Sequence, residues 1–234
     1  MMNRTPDTIK HLIIINVIFF VASQVMHEQM INLFAMHFPL NPQFRIWQII
    51  THMFMHANMM HIAFNMYALW AFGTPLYQIW GQKRFLIFYF AAGLGSVLLY
   101  TAVQYYGFEQ AIHHLTAQGY TEEHVYQILN SGSYFKDFSA TANYFSIMLG
   151  ASGAIYGLLV AFAFYFPNAE LMLMFIPYPI KAKYFVPLLV LADLFFGITN
   201  VMHTPIAHLA HVGGALVGFI LMKMWGKYKH PRWY

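Results

Sequence analysis

Ser152 is flanked by Gly150, Ala151 and Gly153 and stands at the head of an apolar run that continues to Phe166. Small neighbours remove the side chains that would keep a substrate backbone from reaching the hydroxyl. A serine is a weak nucleophile until a base takes its proton, and His211, inside Ala210-His211-Val212-Gly213-Gly214, is a candidate for that base. His61 and Asn65 are four residues apart, so a helix holding both presents them on one face. A neutral imidazole and a side-chain amide can each donate a hydrogen bond to the negative oxygen of a tetrahedral intermediate. Together these residue types suit acyl transfer by nucleophilic attack. Each piece also has a plainer reading: glycines for close helix packing, histidine and asparagine for tying segments together.

Composition decides which elements must position these residues. With 59% hydrophobic and 9% charged residues in a chain of 234, and a positive mean hydropathy, the sequence describes a polytopic membrane protein and excludes a soluble domain. The net charge of +4 is spread over short segments beside apolar runs, which reads as a topology signal and not as a nucleic-acid footprint. There are no cysteines, which excludes a disulfide, a thiolate nucleophile and a zinc-thiolate site. No repeat or long polar linker divides the chain, so residues 1–234 read as a single domain with a short polar N-terminus over 1–11.

Six spans are predicted, at about 12–26, 51–72, 85–105, 149–166, 184–201 and 205–225. The uncharged run from Leu12 imitates a signal peptide, but no soluble mature domain follows it, so the first span is expected to be retained. Residues 27–46 read as a loop lying in the interface. Gly73, Pro75 and Gly81 are expected to close the second span, and Pro167 the fourth. Residues 106–143 read as a polar outer loop with a short amphipathic helix near Glu122–Leu129, and Pro177 to Lys183 as a further loop.

Basic residues divide unevenly between the two sides. Arg4, Lys10, Lys83, Arg84, Lys181, Lys183, Lys223, Lys227, Lys229 and Arg232 fall on one, and only Arg45 and Lys136 on the other, which puts both termini in the cytoplasm. The fourth and sixth spans then both enter from the outer side. At about 1.5 Å per residue, Ser152 lies within a turn or so of the outer end, and His211 roughly 9 Å in from Pro205. Gly153 and Gly157 beside Ser152, and Ala207, Ala210, Gly214 and Gly218 beside His211, let the two helices pack with their backbones close, bringing imidazole to hydroxyl. Function is the default reading of an ionisable group inside a span.

Asp193 in the fifth span counts to about 15 Å from the outer end near His203, a turn or more below His211, and reads as an orienter of the imidazole or as a structural polar bond. His52 and His56 read as ties for the first loop that hold water. Together His56, Asn58, Ser139, Thr141 and Asn143 are expected to support a cavity open to the outer side. A histidine-liganded metal enzyme or transporter is a second reading of His52, His56, His61, His208 and His211, because i, i+3 and i, i+4 histidines are ligand-like. No H-E-x-x-H occurs and few carboxylates lie at that depth, so neither metal nor cofactor is expected.

In this order, on the second, fourth and sixth of six spans, the His52, His56, His61, Asn65 run, the Gly150-Ala151-Ser152-Gly153 motif and the Ala210-His211-Val212-Gly213-Gly214 to Gly218 motif resemble a rhomboid intramembrane serine protease. The resemblance covers about residues 10–226. It implies an all-α membrane protein, a six-transmembrane-helix rhomboid-like bundle, working through a Ser–His dyad without a required carboxylate. Carried over position by position, Ser152 is the nucleophile, His211 the general base, and His61, Asn65 and the backbone N–H of Ser152 the oxyanion site. Its partners would be the lipid bilayer and single-span membrane proteins, cut within or next to their transmembrane segment and carrying small or helix-weakening residues near the outer end. Nucleic acid is not among them. The bulky fifth span, with Phe185, Leu194, Phe195 and Phe196, suggests access between the second and fifth spans.

Many rhomboids have Trp-Arg just before the second span where this chain has Trp47-Gln48, a departure that bears on the rigidity of the first loop. The alternative reading is a non-catalytic rhomboid-like protein that binds membrane segments without cutting them; such relatives typically lack the serine or the histidine. The minimal build, with no targeting segment, suggests a bacterial inner membrane.

Overall fold

In hydrocarbon each backbone N–H and C=O must be satisfied within its own segment, so the apolar runs become helices. A computed structural model describes residues 5–135, 138–173, 176–199 and 207–226. Its helices are α1 (Asp7–Val25), α2 (His27–Phe34), α3 (Gln48–Thr51), α4 (Met59–Ala117), α5 (Glu122–Asn130), α6 (Phe138–Tyr144), α7 (Ser152–Tyr165), α8 (Ala182–Thr199) and α9 (His208–Trp225). Among the described residues, α1, α4, α8 and α9 are long and apolar enough to cross a membrane, and α7 is a shorter apolar helix. Two antiparallel strand pairs complete the fold: β1 (Met36–His37) with β2 (Ile147–Met148), and β3 (Glu170–Leu173) with β4 (Ile176–Lys181). The second pair occupies the stretch expected to be a loop.

Helix α4 carries both the second and third predicted spans. It breaks only at Gly81, whose φ of 71° and ψ of 175° are non-helical and open to glycine without a steric penalty. Gly73 and Pro75, expected to end the second span, lie inside its first arm. Proline removes one hydrogen bond from the preceding turn, and Gly73 is held against the side chains of Ile9 and Phe85, so packing carries the helix through.

The first arm also starts later than hydropathy suggested, at Met59 and not Thr51. Asn58, in an extended conformation, caps it by accepting the His61 N–H at 2.9 Å. Residues 51–58 instead form the end of α3, a 3-10 turn over His52–Phe54 and an extended link. The second arm runs to Ala117, so the first part of the expected outer loop is helix. The predicted amphipathic helix is α5, capped by Thr121. The expected end of the fifth span at Val201 and start of the sixth at Pro205 lie outside the described residues, as do Arg4, Lys136, His203, Lys227, Lys229 and Arg232.

Three helices form the centre, with their backbones almost touching. A Cβ on Gly214 of α9 would lie 1.9 Å from the Gly153 carbonyl oxygen of α7, and one on Gly218 would lie 2.7 Å from the Gly157 Cα. On the other flank a Cβ on Gly213 would come within 2.5 Å of the Gly95 carbonyl oxygen in the second arm of α4. Without glycine at these places α9 could not sit against both neighbours. One end of the bundle is closed by aromatic packing: Trp80 donates to the Tyr165 hydroxyl at 3.2 Å, and the Arg84 guanidinium lies 5.8 Å from the Trp225 ring centre. Beyond the opposite end, Phe108, Ile112 and Leu115 of α4 pack with Val125 and Leu129 of α5, Tyr144 of α6 and Phe38 into a separate small core.

The first loop is held from within by Gln48, which is fully buried. Its Oε1 accepts from the backbone N–H of Arg45 at 3.0 Å and of His37 at 3.4 Å, and its Nε2 donates to the carbonyls of Asn32 at 3.0 Å and Gln43 at 3.1 Å. The residue that departs from the common rhomboid pattern therefore ties four points of the loop together. His37 is buried beside it; burial pushes its imidazole below the ordinary value, and its Nδ1 donates to the Ala35 carbonyl at 3.1 Å.

Candidate active site

Ser152 is the first residue of α7, and Gly150, two residues before it, has a φ of 120° that turns the chain into the helix. The turn is pinned from two sides. The Gly150 N–H donates to the His52 carbonyl at 2.9 Å, and Met148 pairs with Met36 in the first loop. The first intrahelical bond of α7 is Ile155 N–H to the Ala151 carbonyl at 3.1 Å, so the N–H groups of Ser152, Gly153 and Ala154 have no partner within the helix.

The close approach of α7 and α9 brings His211 to the serine. Its Nε2 lies 2.9 Å from Ser152 Oγ, a bond joining residues 59 apart in sequence. Tyr156, one turn along α7 from Ser152, stacks on the imidazole with ring centres 4.3 Å apart and planes 12° from parallel. Ser152, His61 and His211 are each half-buried.

His61 and Asn65 flank the same turn. A Cβ built on Gly150 would fall 2.8 Å from His61 Nε2 and 3.7 Å from Asn65 Nδ2, which fixes both side chains over the segment leading into Ser152. Asn65 Nδ2 donates to His56 Nε2 at 2.9 Å, and the His56 ring meets His61 edge to face at 4.9 Å. The structure thus brings together all four residues that the sequence singled out. It also gives His56 a closer role than tying the first loop, since it holds the amide of Asn65. His52 keeps its expected role: its Nδ1 donates to the Gln48 carbonyl at 3.0 Å.

Two expected cavity residues are used elsewhere. Thr141 is buried with its Oγ1 accepting from Phe135 N–H at 3.1 Å, and Asn143 packs over Gly107; both lie by the small core formed with α5 and α6. The Ser139 side chain lies outside the described residues. Asp193 is nearer than its counted depth implied. Its Oδ1 bonds to His208 Nδ1, and its Oδ2 is 3.4 Å from His211 Nδ1. Among the described residues, the group with donors close enough to share one ion is Asp193, His208 and His211, within 4.8 Å; His52, His56 and His61 are not in it.

Sequence reasoning missed Tyr156, the four hydrogen bonds of Gln48 and the His56–Asn65 bond. Tyr156 was findable, because it lies four residues after the serine on the same helical face. The other two join segments on opposite sides of a turn or loop, and no periodicity marks them.

Comparison with known proteins bears on the whole assembly. A family model described as "Rhomboid domain" matches residues 43–228, most of the chain. RHOMBOID-like protein 12, mitochondrial, of Arabidopsis thaliana is 30% identical over 215 residues, covering 92% of this chain and 57% of that protein. Rhomboid protease AarA of Providencia stuartii is 26% identical over 185 residues, covering 75% and 54%. Presenilin-associated rhomboid-like protein, mitochondrial, of Rattus norvegicus is 28% identical over 216 residues, covering 90% and 46%. The chain spans about half the length of these curated relatives. With its helical bundle, its membrane-spanning helices and this match over residues 43–228, the chain belongs to the rhomboid family.

Proposed function

We propose that this chain is an intramembrane serine endopeptidase that cleaves single-span membrane proteins within or next to their transmembrane segment. The observation that carries the reading is the 2.9 Å contact between His211 Nε2 and Ser152 Oγ, made at the mouth of α7 with His61 and Asn65 over the adjoining turn. His211 takes the serine proton as Oγ attacks the peptide carbonyl. The oxyanion is met by His61, Asn65 and the Ser152 N–H, and the imidazolium then protonates the leaving amine. Water, deprotonated by His211, hydrolyses the acyl-enzyme. AarA, a relative named as a protease, supports this reading.

Six spans follow if α1, the two arms of α4, α7, α8 and α9 each cross the bilayer, with both termini in the cytoplasm. Lys10, Arg84 and Lys223 support that orientation through the positive-inside rule. Substrate access runs between the first arm of α4 and α8, whose Leu188, Leu191, Phe195 and Ile198 are exposed on the bundle surface. Crosslinking those two elements should block cleavage. The expected bacterial inner membrane belongs to the same proposal; matched relatives include proteins named mitochondrial and proteins from bacteria, and fractionating the source cells tests it.

The test is cleavage of a single-span reporter by purified protein in liposomes, comparing wild type with Ser152→Ala and His211→Ala, with and without chelator. Loss in both variants and indifference to chelator supports the serine dyad. No cleavage by wild type, with specific binding of the reporter, favours a non-catalytic binding protein.

A further inference from the structure

A carboxylate inside a membrane bundle is costly, and where one occurs its partners carry the explanation. Asp193 is 5% exposed, on α8, and faces two histidines of α9. One oxygen is engaged: His208 Nδ1 bonds to Oδ1. The other, Oδ2, is buried with no hydrogen bond of ordinary geometry, as is His211 Nδ1, and the Tyr156 hydroxyl is a further partner of the carboxylate. These two buried atoms lie 3.4 Å apart. Each is the complement of the other, an acceptor and a ring nitrogen that carries a proton in one tautomer.

The tautomer is decided at the opposite nitrogen. To accept the serine proton, His211 Nε2 must present its lone pair to Ser152 Oγ, 2.9 Å away, which places the imidazole hydrogen on Nδ1, facing Asp193. A small rotation of the ring closes that contact. When the proton moves from Oγ to Nε2, the imidazolium that results has a carboxylate against its far edge, and Tyr156 stacked on its face keeps the ring in plane.

We infer that Asp193, clamped by His208, is a positioning residue that holds His211 in the Nδ1–H tautomer and stabilises its protonated form. The inference rests on the proposed serine chemistry and adds to it a carboxylate that the dyad reading does not require. Asp193 touches no reacting atom and acts only through His211.

Asp193→Asn tests the tautomer directly. With His208 still donating through Nδ1, the amide oxygen accepts from it and the amide NH2 turns toward His211 Nδ1. The imidazole then places its hydrogen on Nε2 and cannot take the serine proton. In reporter cleavage we expect kcat to fall on the order of 100-fold, with KM within about twofold. The rate of Ser152 labelling by a fluorophosphonate should fall with kcat, and the labelled fraction at completion should equal that of wild type. The 15N spectrum of His211, assigned by difference from His211→Ala, should show the switched tautomer. His208→Gln, which loosens the clamp while leaving the carboxylate, should lower kcat by a smaller factor and guards against Asp193→Asn failing to fold.

Wild-type kcat in Asp193→Asn with an unchanged His211 tautomer would overturn the inference. So would a kcat loss matched by an equal loss of labelled protein, or cleavage abolished by chelator and restored by Zn2+, which would make the three side chains a metal site. Cleavage that survives Ser152→Ala or His211→Ala would instead overturn the proposed serine chemistry itself, whatever Asp193→Asn does.

Discussion

Replacing Gly214 by alanine would place a methyl group 1.9 Å from the Gly153 carbonyl oxygen and 3.1 Å from the Gly153 Cα. Both neighbours are backbone atoms, so no rotamer change can relieve the contact. Restoring ordinary contact at about 3.4 Å requires α7 and α9 to separate by about 1.5 Å at this level. Gly153 is adjacent to Ser152 and Gly214 is less than a turn from His211, so most of that separation falls on the Ser152–His211 contact. At 2.9 Å it has little to spare before it exceeds hydrogen-bonding distance. A misplacement of about 1 Å costs on the order of 100-fold in rate, while overpacking a helix interface costs about 1–3 kcal/mol of stability. Gly214→Ala should therefore lose most of its kcat while retaining a cooperative unfolding transition. The assay is reporter cleavage in liposomes with unfolding followed in parallel, and Leu216→Ala, on the exposed face of the same helix, should stay close to wild type. A Gly214→Ala enzyme with wild-type kcat would show that the backbone contact between α7 and α9 does not set the catalytic distance.

Other substitutions test the two supports of the site. Asn65→Ala and His61→Ala should each raise the barrier by on the order of 3 kcal/mol, read as a kcat loss with little change in reporter binding; equal losses in kcat and binding would make these residues structural. Gln48→Ala removes four hydrogen bonds from the first loop and should destabilise it by about 2–4 kcal/mol, seen as faster amide exchange over residues 32–48. Unchanged exchange there would mean that the loop is held from elsewhere.

Which residues would meet was legible in the sequence, and the placement of distant segments less so. Small residues around Ser152 and His211 marked α7 and α9 as partners, because close approach of membrane helices demands them, and the structure puts those backbones in contact. Hydropathy misplaced the start of the second span, since Met53, Phe54 and Met55 carry the apolar pattern of the first arm of α4 backward past the polar His56 and Asn58. The cap at Asn58 decides the boundary through a single hydrogen bond. Gly73, Pro75 and Gly81 carry similar turn signals, and only the packing of Gly73 against α1 distinguishes the two that stay helical from the one that breaks. Asp193 was counted below His211 because residues per ångström along an axis say nothing of how two helices lean against each other. Gln48 acts on backbone groups up to 16 residues away, a pattern that no local periodicity records.

The 59-residue separation between Ser152 and His211 has a consequence for biosynthesis. A ribosome releases α7, and the serine with it, well before α9. Until α9 inserts between α4 and α7, the hydroxyl has no base, and the glycine surfaces that would receive that helix are unfilled. During its own insertion the nascent chain lies beside other unfinished membrane segments, which are unwound and exposed as substrates of this kind must be. Placing the base on α9, later in the chain than the serine, keeps the proposed protease inert through that interval, and makes the docking of α9 the event that switches it on.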